Sequence, residues 1–304
     1  MVTPSEKIWM DGVFVNWNDA STHILTHSLH YGLGAFEGIR CYEGRNGSAI
    51  FRLREHVDRL FESAHIMLIT VPYSQKDVAE AIVETVRVNK LTSCYIRPLL
   101  YVGYGKMGLD PSHNPVRLAI AAWPWGAYLG DDALVRGIRA KVSSFTRHHV
   151  NVSMTRAKVP GYYVNSILAR LEATRAGYDE AIFLDTEGYV AEGTGENVFI
   201  VSKGQLITTP LTSVLEGITR HAILDMAREK NIPVLEERFT RDALYVAEEV
   251  FLTGTAAEVT PIREIDDRQV GTGKRGPVTD LLQKFFFDIV KGETPSRAHW
   301  LTPV

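Results

Sequence analysis

The chain has 304 residues, 45% of them hydrophobic and 23% charged, with a formal net charge of −3. That length exceeds what one hydrophobic core usually serves and points to two domains. The charge gives no electrostatic reason to bind nucleic acid or an acidic membrane, and the longest apolar runs, such as 118–125, are too short to span a bilayer.

In chain order, residues 8–10 and 13–15 read as a hairpin, because Asp11-Gly12 supplies the positive φ angles of a type I′ turn. Residues 27–36 are rich in Gly, His and aromatics, and their pattern does not settle a structure; the glycines there suggest close backbone approach. A short strand at 49–51 precedes a helix over 53–69, set by apolar residues at 53, 57, 60, 61, 64, 67 and 68. Ser74 with Asp77 resembles a capping box ahead of a helix over 78–88. Strands are predicted at 94–102 and 116–122, joined by a glycine-rich loop that exposes Tyr104 and Met107. The Trp123-Pro124-Trp125-Gly126 stretch breaks the pattern. Beyond it come a strand near 138–145, a helix over 164–176, and β-like runs at 181–185, 189–191 and 197–208, the last turning at Lys203-Gly204. A helix over 218–230, a strand at 233–237, a short helix at 242–247, a strand at 250–253, a hairpin and a helix over 278–290 follow. The elements do not alternate as a βαβ series, so the expected fold class is α+β, two domains with mixed or antiparallel sheets. The expected division is a small N-terminal domain over 1–122, an interdomain loop over 123–133 and a larger domain over 134–304. The two cysteines, Cys41 and Cys94, come with no secretion signal at the N-terminus, so reduced core thiols and a cytoplasmic location are expected.

Lys158 lies among small, apolar and aromatic residues. It is either a side chain whose stem covers apolar surface or a desolvated amine ready to attack a carbonyl. Several other motifs have bland readings. Residues 271–276, Gly-Thr-Gly-Lys-Arg-Gly, match a dinucleotide fingerprint but follow a polar hairpin and open no βαβ unit, so they read as a loop. His23, His27 and His30 are spaced along one helix face, yet no acidic or cysteine partner accompanies them, so no metal is expected. Arg59, taken alone, is a surface charge. Glu192 beside three small residues is a turn glutamate or a carboxylate that something approaches closely. The helix opening at Gly217-Ile218-Thr219 and the turn Thr255-Ala256-Ala257 each present backbone N–H groups suited to an anion. Taken together, a lysine, a buried acid, a helix N-terminus and an arginine are what pyridoxal phosphate needs: a Schiff-base amine, a partner for the ring nitrogen, and a phosphate seat.

The wording of the chain adds to this. From Trp9-Met10-Asp11-Gly12 to Gly276-Pro277-Val278, through His30-Tyr31-Gly32-Leu33-Gly34-Ala35-Phe36-Glu37-Gly38, Tyr95-Ile96-Arg97-Pro98, Pro124-Trp125-Gly126-Ala127-Tyr128, Glu192-Gly193-Thr194-Gly195-Glu196-Asn197, Gly217-Ile218-Thr219-Arg220 and Gly254-Thr255-Ala256-Ala257, it resembles the branched-chain amino-acid aminotransferases of the class IV, or fold-type IV, pyridoxal-phosphate enzymes. The resemblance implies exchange of the amino group between Leu, Ile or Val and 2-oxoglutarate in a ping-pong cycle. It implies that Lys158 tethers pyridoxal 5'-phosphate and moves the α-proton, that Glu192 pairs with the ring nitrogen, and that Tyr163 bonds the phenolic oxygen. Arg59, Gly217, Ile218, Thr219 and Thr255 would hold the phosphate. Tyr95, Arg97, Thr255, Ala256 and Ala257 would receive the substrate carboxylate, and Phe36, Gly38, Tyr31, Trp125, Tyr128, Met107 and Leu109 would wall the side-chain pocket. Tyr31 and the 107–109 loop would come from a neighbouring subunit, implying a homodimer or larger homo-oligomer. A D-amino-acid or (R)-amine transaminase, or an aminodeoxychorismate lyase, would share the fold and Lys158. Pro160 departs from relatives that often have small residues or asparagine after the lysine, and it stiffens the segment.

Overall fold

The structure, a computed structural model, describes residues 2–126 and 130–304, with only the backbone of residue 131. It divides into two compact units, one made of Met1–Trp125, Ala157–Tyr162 and Ile289–Val304, the other of Gly126–Arg156 and Tyr163–Asp288. This differs from the linear division at 1–122, 123–133 and 134–304. The hexapeptide carrying Lys158 and the C-terminal tail both belong to the first unit, where backbone hydrogen bonds outweigh nearness in sequence.

In the first unit β1 (Lys7–Met10) and β2 (Val13–Asn16) form the expected hairpin, with Asp11 at φ 49° and Gly12 at φ 96°. The undecided 27–36 stretch is a short helix, α1 (His27–Tyr31), closed by Gly32 at φ 70°, then β3 (Gly34–Phe36). Then come β4 (Ile39–Gly44), β5 (Gly47–Phe51), α2 (Leu53–Ile66), α3 (Gln75–Val88), β6 (Cys94–Val102) and β7 (Val116–Trp123). The sheet runs β5-β4-β6-β7-β1-β2 with antiparallel pairs, the tail strand Leu301–Pro303 on the outer edge of β5, and β3 also on β6. Val57, Leu60 and Ala64 of α2 and Val78, Ile82 and Val86 of α3 bury against Ile39, Ile96, Leu100 and Ile120. The α2 face that turns inward also carries His56, Arg59 and Ser63. Cys41 and Cys94 are opposite one another in β4 and β6, buried and unlinked.

The second unit holds α4 (Asp131–Arg136), β8 (Ile138–Thr146), α5 (Tyr163–Arg175), β9 (Glu180–Leu184), β10 (Val190–Gly193), β11 (Asn197–Ser202), β12 (Gln205–Thr208), α6 (Ile218–Glu229), β13 (Val234–Glu236), α7 (Arg241–Val246), β14 (Glu249–Gly254), β15 (Glu258–Ile265), β16 (Arg268–Gln269) and α8 (Pro277–Val290), whose last two residues belong to the first unit. Its sheet is mixed, with β8 parallel to both β9 and β15. The order is β10-β9-β8-β15-β14-β11-β12-β13, and β10 also pairs with β11, so six strands close into a ring. The closing pair is Glu192 opposite Asn197. Val142, Ile182, Val198, Ile200, Leu252 and Ile262 are among the residues that fill this unit's core. Among the described residues no helix is long and apolar enough to cross a membrane.

Candidate active site

In the first unit the lysine segment is held by its backbone. The N–H of Lys158 donates to Ser63 Oγ on α2 at 3.0 Å. Its carbonyl accepts from the Phe36 N–H at 3.1 Å, and Gly161 N–H donates to Gly32 O at 3.1 Å. That approach needs glycine on the α1 side, since a Cβ on Gly32 would lie 2.9 Å from Gly161 Cα. Pro160 opens a single 3₁₀ turn, Pro160–Tyr162, a place where a preset φ and a missing N–H cost nothing. The Lys158 ammonium sits 4.9 Å from the Phe36 ring centroid, an attraction between cation and π-face.

Phe36 ends β3 and Ile39 begins β4, and both strands pair with β6. The two residues between lie opposite Arg97 and Pro98. Proline has no N–H to give the ladder, so the strand breaks there and Glu37 turns into the interior, its N–H donating to Pro98 O at 2.9 Å. Glu37 is 0% exposed. Its Oε1 accepts from Arg59 Nε at 2.7 Å, and its Oε2 accepts from Arg59 Nη2 at 2.9 Å and His56 Nδ1 at 2.7 Å. Burial pushes the Glu37 carboxyl up, but the Arg59 and His56 partners together hold it well below the usual carboxylate range. Burial lowers the basicity of His56, with the Arg59 and Lys158 charges adding to it against the pull of Glu37.

On the other side of the break, a Cβ on Gly38 would fall 1.9 Å from Tyr95 Oη. Tyr95 packs beside Trp125 at 5.3 Å between ring centroids and Trp123 at 5.2 Å. Arg97 donates to Tyr95 Oη at 3.2 Å and lies 4.8 Å over the Phe36 ring. The first unit therefore brings together Lys158, Arg59, Phe36, Gly38, Tyr95, Arg97 and Trp125. Tyr31, Met107 and Leu109 form another group, exposed, Leu109 at 89%. His27 joins them, its ring tilted against Tyr31 at 4.6 Å between centroids and donating from Nε2 to Gly108 O at 2.8 Å. His30 bonds Ile24 O, and the His23 ring accepts from Leu25 N–H. Tyr128 lies outside the described residues.

In the second unit Glu192 sits at the ring closure, its Oε1 2.7 Å from Arg147 Nε. Its Oε2 accepts from Leu215 N–H at 3.0 Å, and Asn197 Nδ2 donates to Leu215 O at 2.9 Å. These bonds pin the chain just before α6. Gly217 caps that helix without a side-chain hydrogen bond, leaving the first-turn N–H groups of Ile218 and Thr219 for an outside acceptor. Any larger residue at 217 would meet Asn197 Oδ1 at 2.0 Å. Tyr163 begins α5. Thr255, Ala256 and Ala257 make the three-residue turn from β14 to β15, followed by Glu258 in the left-handed region at φ 56°. Under the turn, Gly254 is closely packed, since a Cβ would lie 3.2 Å from Gly195 O and 3.4 Å from Glu196 Cγ. Burial, followed by the neighbouring Glu180, pushes the Glu196 carboxyl up to about 8.

Sequence reasoning missed Glu37, His56, Ser63 and Arg147. The first three carried one signal, polar residues inside an apolar helix face or a glycine-flanked strand. Arg147 carried none.

The family model for amino-transferase class IV matches residues 34–265. The branched-chain-amino-acid aminotransferase of Pseudomonas aeruginosa is 56% identical over 297 residues, covering 98% of this chain and 97% of that protein. The solved structure of the Escherichia coli branched-chain amino acid aminotransferase is 48% identical with a TM-score of 0.96, covering 98% of each chain. That of the T.th. branched-chain amino acid aminotransferase with pyridoxamine 5'-phosphate is 47% identical with a TM-score of 0.97, covering 100% of this chain and 99% of the other.

Proposed function

The chain belongs to the class IV aminotransferase family, and from that premise we propose a role for each part of the site. The protein moves the amino group between the branched-chain L-amino acids Leu, Ile and Val and 2-oxoglutarate, using pyridoxal 5'-phosphate. The observation that carries the reading is the setting of Lys158, anchored through both its backbone N–H and its carbonyl, with its ammonium over an aromatic face. The residues present fit the cofactor: α6 opens without a side-chain cap and a buried carboxylate sits beside it.

When bound, pyridoxal phosphate supplies a ring that takes up charge developing at the substrate's α-carbon. Lys158 would tether it and, once displaced by the substrate amine, hold and move the α-proton. Glu192, braced by Arg147, would keep a proton on the ring nitrogen. Tyr163 would donate to the phenolic oxygen. Arg59, Thr255 and the N–H groups of Ile218 and Thr219 at the Gly217 cap would hold the phosphate. Tyr95, Arg97 and the Thr255-Ala256-Ala257 turn would take the substrate carboxylate. Phe36, Gly38, Trp125 and Tyr128 would wall the side-chain pocket, with Tyr31, Met107 and Leu109 reaching it from a second copy of the chain. The exposure of that last apolar group supports a homo-oligomer. The unlinked cysteines support a reducing, cytoplasmic setting.

The test is turnover of L-leucine with 2-oxoglutarate, read as L-glutamate and the 2-oxo acid of leucine. Turnover of D-alanine in place of L-leucine would mark a D-amino-acid transaminase instead. Release of pyruvate from aminodeoxychorismate without an acceptor would mark a lyase.

A further inference from the structure

We infer that Glu37, with His56 behind it, is a positioning residue for the cofactor's phosphate: it fixes the Arg59 guanidinium in the orientation that takes the anion and ties that orientation to the placement of Lys158. The inference rests on the reading of Arg59 above and goes one residue beyond it.

A buried arginine has several rotamers open to it, and a planar fork set by two parallel N–H···O bonds has one. Arg59 makes that fork with Glu37, through Nε at 2.7 Å and Nη2 at 2.9 Å. His56 fixes the carboxylate in turn from the same helix at 2.7 Å. A buried ion pair is by itself weak evidence of any role beyond structure. The surroundings of Glu37 supply the rest. The residue before it gives its N–H to the Lys158 carbonyl, and the residue after it lies against Tyr95 Oη. Ser63, one turn beyond Arg59 on α2, accepts the Lys158 N–H. The same two elements, α2 and the break between β3 and β4, therefore set both the arginine and the lysine.

Charge and orientation predict opposite effects. Glu37 neutralises Arg59, so losing its charge alone would strengthen the arginine's attraction for an anion. Losing the fork would weaken phosphate binding, because the guanidinium is then free to turn away. The inference is that orientation wins.

The experiment strips the full-length protein of cofactor by incubation with an amino acid and dialysis. It then titrates the protein with pyridoxal phosphate and, separately, with pyridoxal, which lacks the phosphate. The quantity read is the ratio of the two dissociation constants. Glu37→Gln is expected to lower the phosphate preference about tenfold or more, the scale of supporting-shell losses, while pyridoxal affinity stays within about threefold. A merely structural role would weaken both ligands alike, and that result overturns the inference, as does an unchanged or increased preference. If Glu37→Gln does not fold, Glu37→Asp keeps the charge and withdraws it by one methylene. It must then show a smaller loss in the same direction, and an unchanged ratio overturns the inference. Arg59→Ala is the control arm. If it leaves the ratio at the wild-type value, the reading of Arg59 itself has failed and the inference falls with it. If Arg59→Ala collapses the ratio while the Glu37 variant does not, only the inference fails.

Discussion

Gly38 shows how much a single residue decides. A Cβ there would overlap Tyr95 Oη at 1.9 Å and Cζ at 2.8 Å, and Tyr95 cannot retreat because Trp123, Trp125 and Arg97 pack around it. Gly38→Ala should therefore misplace Tyr95 and lower kcat/KM for L-leucine by about tenfold to a hundredfold, a typical effect of a displacement near one ångström. Steady-state kinetics beside an unchanged circular dichroism spectrum would check it. Lys158→Ala should cut kcat by about a thousandfold or more, measured as L-glutamate formed from L-leucine and 2-oxoglutarate. Both residues were legible in the chain, one as a lysine among small and aromatic neighbours and the other as a glycine in a distinctive run. Arg59 was marked only through the family resemblance, because an arginine among Arg52, Arg54 and Asp58 reads by itself as surface until a glutamate twenty-two positions upstream is brought against it.

Among the elements, α3 is the most directly written. Ser74 Oγ accepts from Asp77 N–H at 3.2 Å, and the Asp77 carboxylate accepts from Ser74 N–H at 3.1 Å, the capping box expected from spacing alone. Ser74→Ala should lower stability by about 1 kcal/mol, read as a smaller urea midpoint with an unchanged slope. The 27–36 stretch lies at the other extreme. Its five-residue helix is too short to declare itself by periodicity, and its course is set by Gly32, Gly34 and the chain packed on them. In α2 the apolar spacing gave the helix, while its inward polar residues make sense only through what they meet.

For the molecule as a whole, the ring of strands in the second unit places Glu192 opposite Asn197 and buries Glu196 beside Glu180. The folded-state value of Glu196 is raised above the ordinary 4.5 to about 8. Between those values the folded protein holds a proton that the unfolded chain has released, so this group's contribution to stability falls as pH rises through the window. Glu196→Gln removes that titration. Its melting temperature should gain on the wild type between about pH 5 and about pH 8, by an amount on the order of 5 °C, and calorimetry at the two pH values decides it. The sequence by itself determined the α+β class and most strands and helices, and it marked Lys158, Glu192 and the α6 opening as candidates, because periodicity, turn chemistry and short motifs are local. Only the tertiary structure decided that the lysine segment belongs to the first unit, that Glu37 and His56 stand behind Arg59, and that Arg147 faces Glu192. Those pairings join residues far apart in the chain, and a buried charge cannot be told from a surface one until its partner is in place.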